Sequence, residues 1–342
     1  MDITHSRIKL FIFLFLPCLA IGQYTDVINS NRPGRAASAY SVGTGVVQAE
    51  VGILYEQQDD ASLNSDSNIF GADFAIRYGF LFEQLEIIYE GSFINQNLTF
   101  IETGLEETRT DFSRNRAGIK YLIFDPFKDP EKNKPNLYSW RANNVFQWKN
   151  LIPAVSVYAG ASFNLGENPF FVDVPTVSPR VAIATQSRLS PRFVLISNVA
   201  YDRIGTDFSQ WSYAVSLTHA FRNPKWSVFF EHQGFVAVVQ NDMLLRTGVA
   251  HLFNENFQAD FHLGSNFKND PSRVFAVLGF SYRLDFHKDK LVPIADQKPS
   301  KENKIKKQNF KKSKKISYNY VEVICFPSDY LQLFIFLIFL SI

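Results

Sequence analysis

Apolar and polar residues alternate one by one along most of the middle of this chain. In "WSYAVSLTHAF", Trp211, Tyr213, Val215, Leu217, His219 and Phe221 fall on one set of alternate positions; Ser212, Ala214, Ser216, Thr218 and Ala220 fall on the other. A period of two is that of an extended strand, whose successive side chains point to opposite faces. "VVQAEVGILYE" repeats it, with Val47, Ala49, Val51, Ile53 and Tyr55 opposed to Gln48, Glu50, Gly52, Leu54 and Glu56. The pattern recurs in "IFGADFAIRYG", "LEIIYEGSF", "AGIKYLIF", "AVSVYAGASF", "RVAIATQSRL", "FVLISNVAYD", "WSVFFEHQGF", "MLLRTGVAHLF", "FQADFHLGS" and "VFAVLGFSYRLDF", which makes twelve strands.

These segments run 8 to 13 residues, whereas strands of water-soluble proteins average about 5–6 and a bilayer-spanning strand needs about 9–11. Tight connections ("LSPR", "RNPK", "FNEN") interleave with the long polar "QQDDASLNSDS" and residues 97–110, which read as external loops. Short turns at one end and longer loops at the other are the habit of outer-membrane barrels. Tyr55, Tyr78, Tyr89, Tyr121, Tyr201, Trp211, Phe221, Trp226, Tyr282 and Phe286 lie toward strand ends on the apolar face, where headgroup-level aromatic girdles sit. The expected fold is all-β: an antiparallel up-and-down transmembrane β-barrel of about 12 strands over residues 46–286. A soluble sandwich, whose apolar faces meet each other, is the competing reading. Residues 125–149 are long for their side of the barrel and leave room for a further strand pair, hence fourteen strands.

Composition adds location. Residues 1–22 carry a basic start (Arg7, Lys9), the apolar run "LFIFLFLPCLAIG" and the small pair Ala20 and Gly22, the layout of a cleaved secretory signal peptide. Residues 23–45 form an N-terminal lead-in rich in Gly, Pro and Ser, read as loop or extended chain. Residues 287–342 hold eleven Lys against five acidic residues and end in a short apolar run, "YLQLFIFLIFLSI". This basic tail is expected to be disordered, and a reading-frame artefact explains it as well as a function does. Against that +6 and the +1 of the signal, a net charge of +2 leaves the middle at −5. Cys18 and Cys325 both lie outside the strand-rich region, so no disulfide framework or Cys-ligated metal site is expected there.

Specific residues also carry a resemblance. Asn31, Arg32, Pro33, Ser41, Val42, Gly45, Gln48, Glu50, Gly52 and Tyr55, in "NRPGRAASAYSVGTGVVQAEVGILYE", are similar to the start of the MetA-pathway of phenol degradation family of bacterial outer-membrane barrels. The similarity continues through "AIRYGFLFEQLEI" and "AGIKYLIF" to "GFSYRLDF", about residues 31–286, while the tail and the 125–149 connection depart from it. It implies a transporter-like barrel in a Gram-negative outer membrane, passing small hydrophobic or aromatic compounds. The last strand, with Gly279, Tyr282, Leu284 and Phe286, looks like the segment read by barrel-assembly machinery.

The alternate positions facing the lumen collect charge. Early strands supply Glu50, Glu56, Asp73, Arg77, Glu86 and Glu90; later ones supply Lys120, Arg180, Arg188, Arg246, Asp260, His262, Arg283 and Asp285, so the wall reads as acidic on one side and more basic on the other. Charges at membrane depth are costly unless paired or wet, so they either pair and close the barrel or set a transverse field that screens solutes. Glu50, Glu86, Glu90, Lys120, Arg180, Arg188 and Arg246 are the expected selectivity or constriction groups. No nucleophile elbow, metal-ligand cluster or phosphate-binding Gly loop occurs, and no His precedes a Ser by two residues, as outer-membrane phospholipases would require. The expectation is a non-enzyme without cofactor or metal, whose partners are the lipid bilayer and lipopolysaccharide, the assembly machinery and a small-molecule solute, with no nucleic acid. A closed structural barrel whose external loops bind a partner is the alternative.

Overall fold

The computed structural model describes residues 27–287 apart from 129–132, 135, 140, 142, 144, 238–240 and 269. The signal-like start and the basic tail lie outside the described residues.

Twelve strands follow one another around a single sheet: β1 (Val46–Asp60), β2 (Ser65–Gly79), β3 (Leu85–Phe100), β4 (Leu105–Phe124), β5 (Ala154–Phe163), β6 (Val177–Ser190), β7 (Phe193–Asp202), β8 (Gln210–Ala220), β9 (Trp226–Ala237), β10 (Asn241–Asn254), β11 (Phe257–Asn266) and β12 (Ser272–Asp285). Each pairs antiparallel with its sequence neighbours, and β12 closes onto β1 from Val46↔Asp285 to Asp59↔Ser272. Closure leaves no edge strand, the condition for a sheet in hydrocarbon, where unpaired backbone groups find no water. We call the end where β1 begins and β12 finishes the near end, and the opposite one the far end.

The alternation sorts as expected. Val51, Ile53, Ile76, Ile119, Ile183, Val199, Val215 and Leu278 are exposed on the outside, while Gln48, Glu86, Ser156, Gln186, Glu231 and Ser281 are buried inside. An apolar outer belt over a charged interior is the reverse of a soluble protein and fits a barrel solvated by lipid. At the near end the outer rings touch in series: Phe193 and His219 at 4.4 Å, Trp226 and His251 at 4.3 Å, His251 and Phe253 at 4.6 Å, Phe253 and Phe257 at 5.4 Å. Tyr201 stacks on Trp211 at 4.5 Å toward the far end.

Two expectations change. The polar stretches read as long external loops are strand: β1 and β2 join through residues 61–64, and β3 and β4 through 101–104. The 20 residues of β4, at about 3.4 Å each and tilted by roughly 45°, rise about 48 Å, beyond a hydrocarbon core of about 30 Å. Past the membrane both faces of a hairpin are wet, so apolar alternation stops while the backbone ladder continues. Polar cross-strand pairs hold it there: Thr108 Oγ1 donates to Asn97 Oδ1 (3.0 Å) and Asn95 Nδ2 to Thr110 Oγ1 (2.5 Å). Second, no strand occurs among the described residues of 125–149, so the count is twelve; the connection carries instead a 3-10 turn at Trp148–Leu151.

Candidate functional site in the lumen

The lead-in is not a tether outside the barrel. Ile28 meets the near rim, its N–H donating to Glu255 O (2.8 Å), and the chain returns to that rim at Gly45, whose N–H donates to Gly79 O (3.1 Å). Between these points residues 29–41 push into the lumen and are mostly buried. A segment without secondary structure must satisfy its backbone groups from elsewhere, and nine of the twelve strands bond the lead-in's backbone or side chains. Ser30 and Ser281 share a hydroxyl bond at 2.7 Å, Asn31 N–H donates to Glu50 (3.1 Å), and the Glu231 carboxylate accepts from the N–H groups of Arg35 and Ala36 (2.9 Å each). Asn198 accepts from Ala37 N (2.5 Å) and returns a bond to Ala37 O (2.9 Å), and Gln186 accepts from Ser38 Oγ (2.8 Å). Lys120 Nζ donates to Ser38 O and Tyr40 O (2.8 and 3.0 Å), and Glu86 accepts from Val42 N (2.9 Å).

Charge fixes the plug as well. Arg32 pairs with Asp260 (3.2 Å) and Arg35 with Asp73 (2.7 Å). The Arg32 guanidinium lies flat on Gly52 and Gly279, a cross-strand pair; a Cβ on either would sit within 2.4 Å of its nitrogens. Below it, Arg77 lies between Glu86 (3.0 Å) and Glu50 (3.6 Å), and Lys120 meets Glu86 at 2.6 Å. Each charge in this layer has an opposite partner. Arg188 closes the near end differently, with its guanidinium over the rings of Tyr40 (5.1 Å) and Phe127 (4.9 Å). Burial raises the Tyr40 hydroxyl above its ordinary range, so it stays protonated and donates to Asp125 (3.1 Å).

Beyond the plug toward the far end lies a cavity of about 680 Å³. Its two sides differ. On the arc from β9 through β12 to β3, Leu54, Ile69, Ile94, Leu244, Phe275 and Val277 form an apolar cluster inside the barrel, with Phe170 and Phe235 packed against it. On the arc from β4 to β7, Arg116 bridges Glu90 (3.3 Å) and Asp202, and Arg180 joins Asp202 at 3.1 Å. Arg114 reaches Asp73 at 3.1 Å; among the described residues its Nε has no hydrogen bond, and neither has the buried Tyr158 hydroxyl. The β5–β6 connection folds inward as a roof. Asn168 Nδ2 donates to Phe112 O (2.8 Å), Phe170 crosses to the apolar arc, and Phe171 lies 4.2 Å under the Arg203 guanidinium.

The seven expected residues thus divide. Glu50, Glu86 and Lys120 hold the plug, Glu50 and Lys120 also bordering the cavity; Arg188 stacks at the near end, and Glu90, Arg180 and Arg246 line the cavity. Arg246 also binds Glu231 (3.1 Å) and covers the Phe275 ring (5.1 Å). Arg114 and Arg116 escape the sequence pattern, because clear apolar alternation starts only at residue 117 whereas β4 begins at Leu105. Their even spacing with Lys120 was the available signal. Glu231, Asn198 and Gln186 carried none, since their importance lies in a segment distant in sequence. The expectation of an acidic side facing a basic side also needs correction: the carboxylates of β2 and β3 meet arginines of β4 and of the lead-in, so opposite charges mostly adjoin.

Solved structures of similar fold include an outer membrane channel from Pseudomonas putida F1 (13% identity, 75% of this chain and 100% of that one, TM-score 0.46). The Pseudomonas putida toluene transporter TodX (8%, 78% and 98%, 0.41) and the transport unit of the Escherichia coli autotransporter AIDA-I (10%, 82% and 97%, 0.40) are also similar. Likeness at this level concerns the fold alone. No curated protein matches the chain by sequence. The family described as Putative MetA-pathway of phenol degradation matches residues 30–284, which takes in the plug together with nearly the whole barrel, and the chain belongs to that family.

Proposed function

We propose that this barrel is an outer-membrane channel or transporter for small molecules, gated at its near end by residues 27–45. The observation that carries this reading is the 680 Å³ cavity enclosed by the strands, bounded by the plug on one side and the 164–176 connection on the other. A barrel kept only as a scaffold has no need of an interior space lined by both apolar and ionised groups. Twelve strands enclose more than the eight that side chains fill and fewer than the 16 of an open porin, so a chain segment is enough to regulate the lumen. The apolar cluster around Phe275 supports small hydrophobic or aromatic cargo. Glu90, Arg180 and Arg246 act as selectivity groups in the cavity; Glu50, Glu86 and Lys120 act by keeping the plug in place. The near end faces the periplasm, as the terminal end does in barrels with short periplasmic turns. The chain reaches the outer membrane through a cleaved signal at residues 1–22, the assembly machinery reading its last strand and lipopolysaccharide covering the outer leaflet.

Conductance of purified full-length protein in planar bilayers tests this. Arg180→Ala combined with Glu86→Ala, one change in each layer, is expected to alter both unit conductance and ion selectivity. Unchanged conductance would remove these residues from the pathway. Absence of any conductance, with or without the plug, would favour a closed scaffold that uses its far-end hairpins to bind a partner.

A further inference from the structure

We propose that the far cavity is a binding site for a small amphipathic anion: a carboxylate, or an acid of similar charge, attached to an aromatic or short alkyl body. The inference rests on the channel reading, since the ligand must enter the lumen, but goes beyond it in assigning a charge and an orientation.

Three observations combine. The cationic arc is in excess: Arg35, Arg114, Arg116, Arg180 and Arg203 face Asp73, Glu90 and Asp202 among the described residues lining that side. The distribution is uneven, for Asp202 serves both Arg116 and Arg180, Asp73 serves both Arg35 and Arg114, and Arg203 makes no ion pair within 4 Å among the described residues. Two donors on this wall, Arg114 Nε and the Tyr158 hydroxyl, are buried without an acceptor among the described residues, an arrangement that costs free energy unless an acceptor arrives.

The opposite arc carries an apolar patch of Leu54, Ile69, Ile94, Leu244, Phe275 and Val277, with Phe170 and Phe235 at its margin; the charged groups beside it are Arg246, Arg273 and Glu56, and the Glu56 carboxylate is already engaged by Arg273 (2.6 Å). A ligand spanning the cavity therefore meets donors and positive charge at one end and can lay an apolar body on the Phe275 patch at the other. A neutral aromatic compound would leave the arginine side unserved, and a cation would be repelled by it. A small anion without an apolar body would forgo the Phe275 face. The volume suits one drug-sized molecule, and guanidinium groups match carboxylate geometry through paired N–H donors.

The test uses 4-phenylbutyrate, 4-phenylbutan-1-ol and 4-phenylbutylamine, which share a body and differ in head charge. Their binding to the full-length chain in lipid nanodiscs is measured by titration calorimetry against empty discs, with bilayer conductance recorded in parallel. The acid is expected to bind about tenfold more tightly than the alcohol, the difference between charged and neutral hydrogen bonding, and the amine least. Arg203→Gln with Arg180→Gln should bring acid and alcohol within roughly threefold of each other, and Phe275→Ala should weaken both alike. Arg203→Gln alone, in a connection rather than a strand, gives a smaller change in the same direction and guards against misassembly of the double variant. Equal affinity of acid and alcohol for the native chain, or an acid preference that survives in folded Arg203→Gln and Arg180→Gln protein, overturns the proposal. Conductance without binding of any probe overturns it while leaving the channel reading intact; absence of both binding and conductance removes the channel reading first.

Discussion

The two halves of this lumen are built from similar residues and end in different states. In the near half, a strandless segment meets the wall and brings each charge an opposite partner: Arg32 with Asp260, Arg77 with Glu86 and Glu50, Lys120 with Glu86. In the far half, arginines outnumber carboxylates and an apolar wall stands opposite them. Burying an ion pair seldom adds stability over an apolar pair, but orphaning one member is costly. The near half is thus a structural interlock that resists change, and the far half a surface with unspent donors. Charge inside a barrel does not by itself mark a pathway; the completeness of its pairing separates a latch from a site.

The strongest way to break the contrast is to remove the latch. Deleting residues 29–41 should raise bilayer conductance by about tenfold or more, because a twelve-stranded lumen without its insert approaches the open range. Ser30→Cys with Ser281→Cys, whose hydroxyls are 2.7 Å apart, should do the opposite under oxidation, holding conductance low until a reductant is added. Next, Glu86→Ala leaves Arg77 and Lys120 in the buried layer without their shared carboxylate and should cost about 3–5 kcal/mol in urea unfolding of reconstituted protein. Arg203→Gln, the matching change in the far half, should alter stability by no more than about 0.5 kcal/mol while lowering anion selectivity in reversal-potential measurements.

The smallest effect concerns the far rim, where Asp270 accepts from Ser62 Oγ and from the N–H groups of Ala61 (2.9 Å) and Ser62 (3.3 Å), tying the β11–β12 connection to the β1–β2 turn. These bonds, led by the Ser62 hydroxyl, hold its carboxyl below the ordinary range. A depressed carboxyl contributes while ionised and loses that contribution as pH falls through its folded-state value. Acidification past the usual carboxylate range should therefore speed amide exchange at residues 61–64, and Asp270→Asn should show the faster exchange already at neutral pH.

Much of the barrel was legible beforehand because alternation is local. Whether Trp211 faces out and Ser212 in follows from neighbouring residues alone, and the same holds for most of the strands. Legibility failed where the surroundings ceased to be two-sided: in the wet extensions of β1 to β4, polar residues on both faces hid the ladder, and with it Arg114 and Arg116. It failed again for the lead-in. "NRPGRAASAYSVGTG" reads as loop, and loop it is, but nothing nearby says that it lies within the barrel.

The chain alone determined the strand count to within one hairpin, the outward and inward faces, and a lumen rich in ionised groups, since each depends on a period of two. Only the closed tertiary structure decided which charges meet. Ser30 finds Ser281 across 251 residues of sequence and Arg35 finds Glu231 across 196. Such partners are set by register, closure and the path of the inserted segment, which are properties of the whole sheet rather than of any stretch of it.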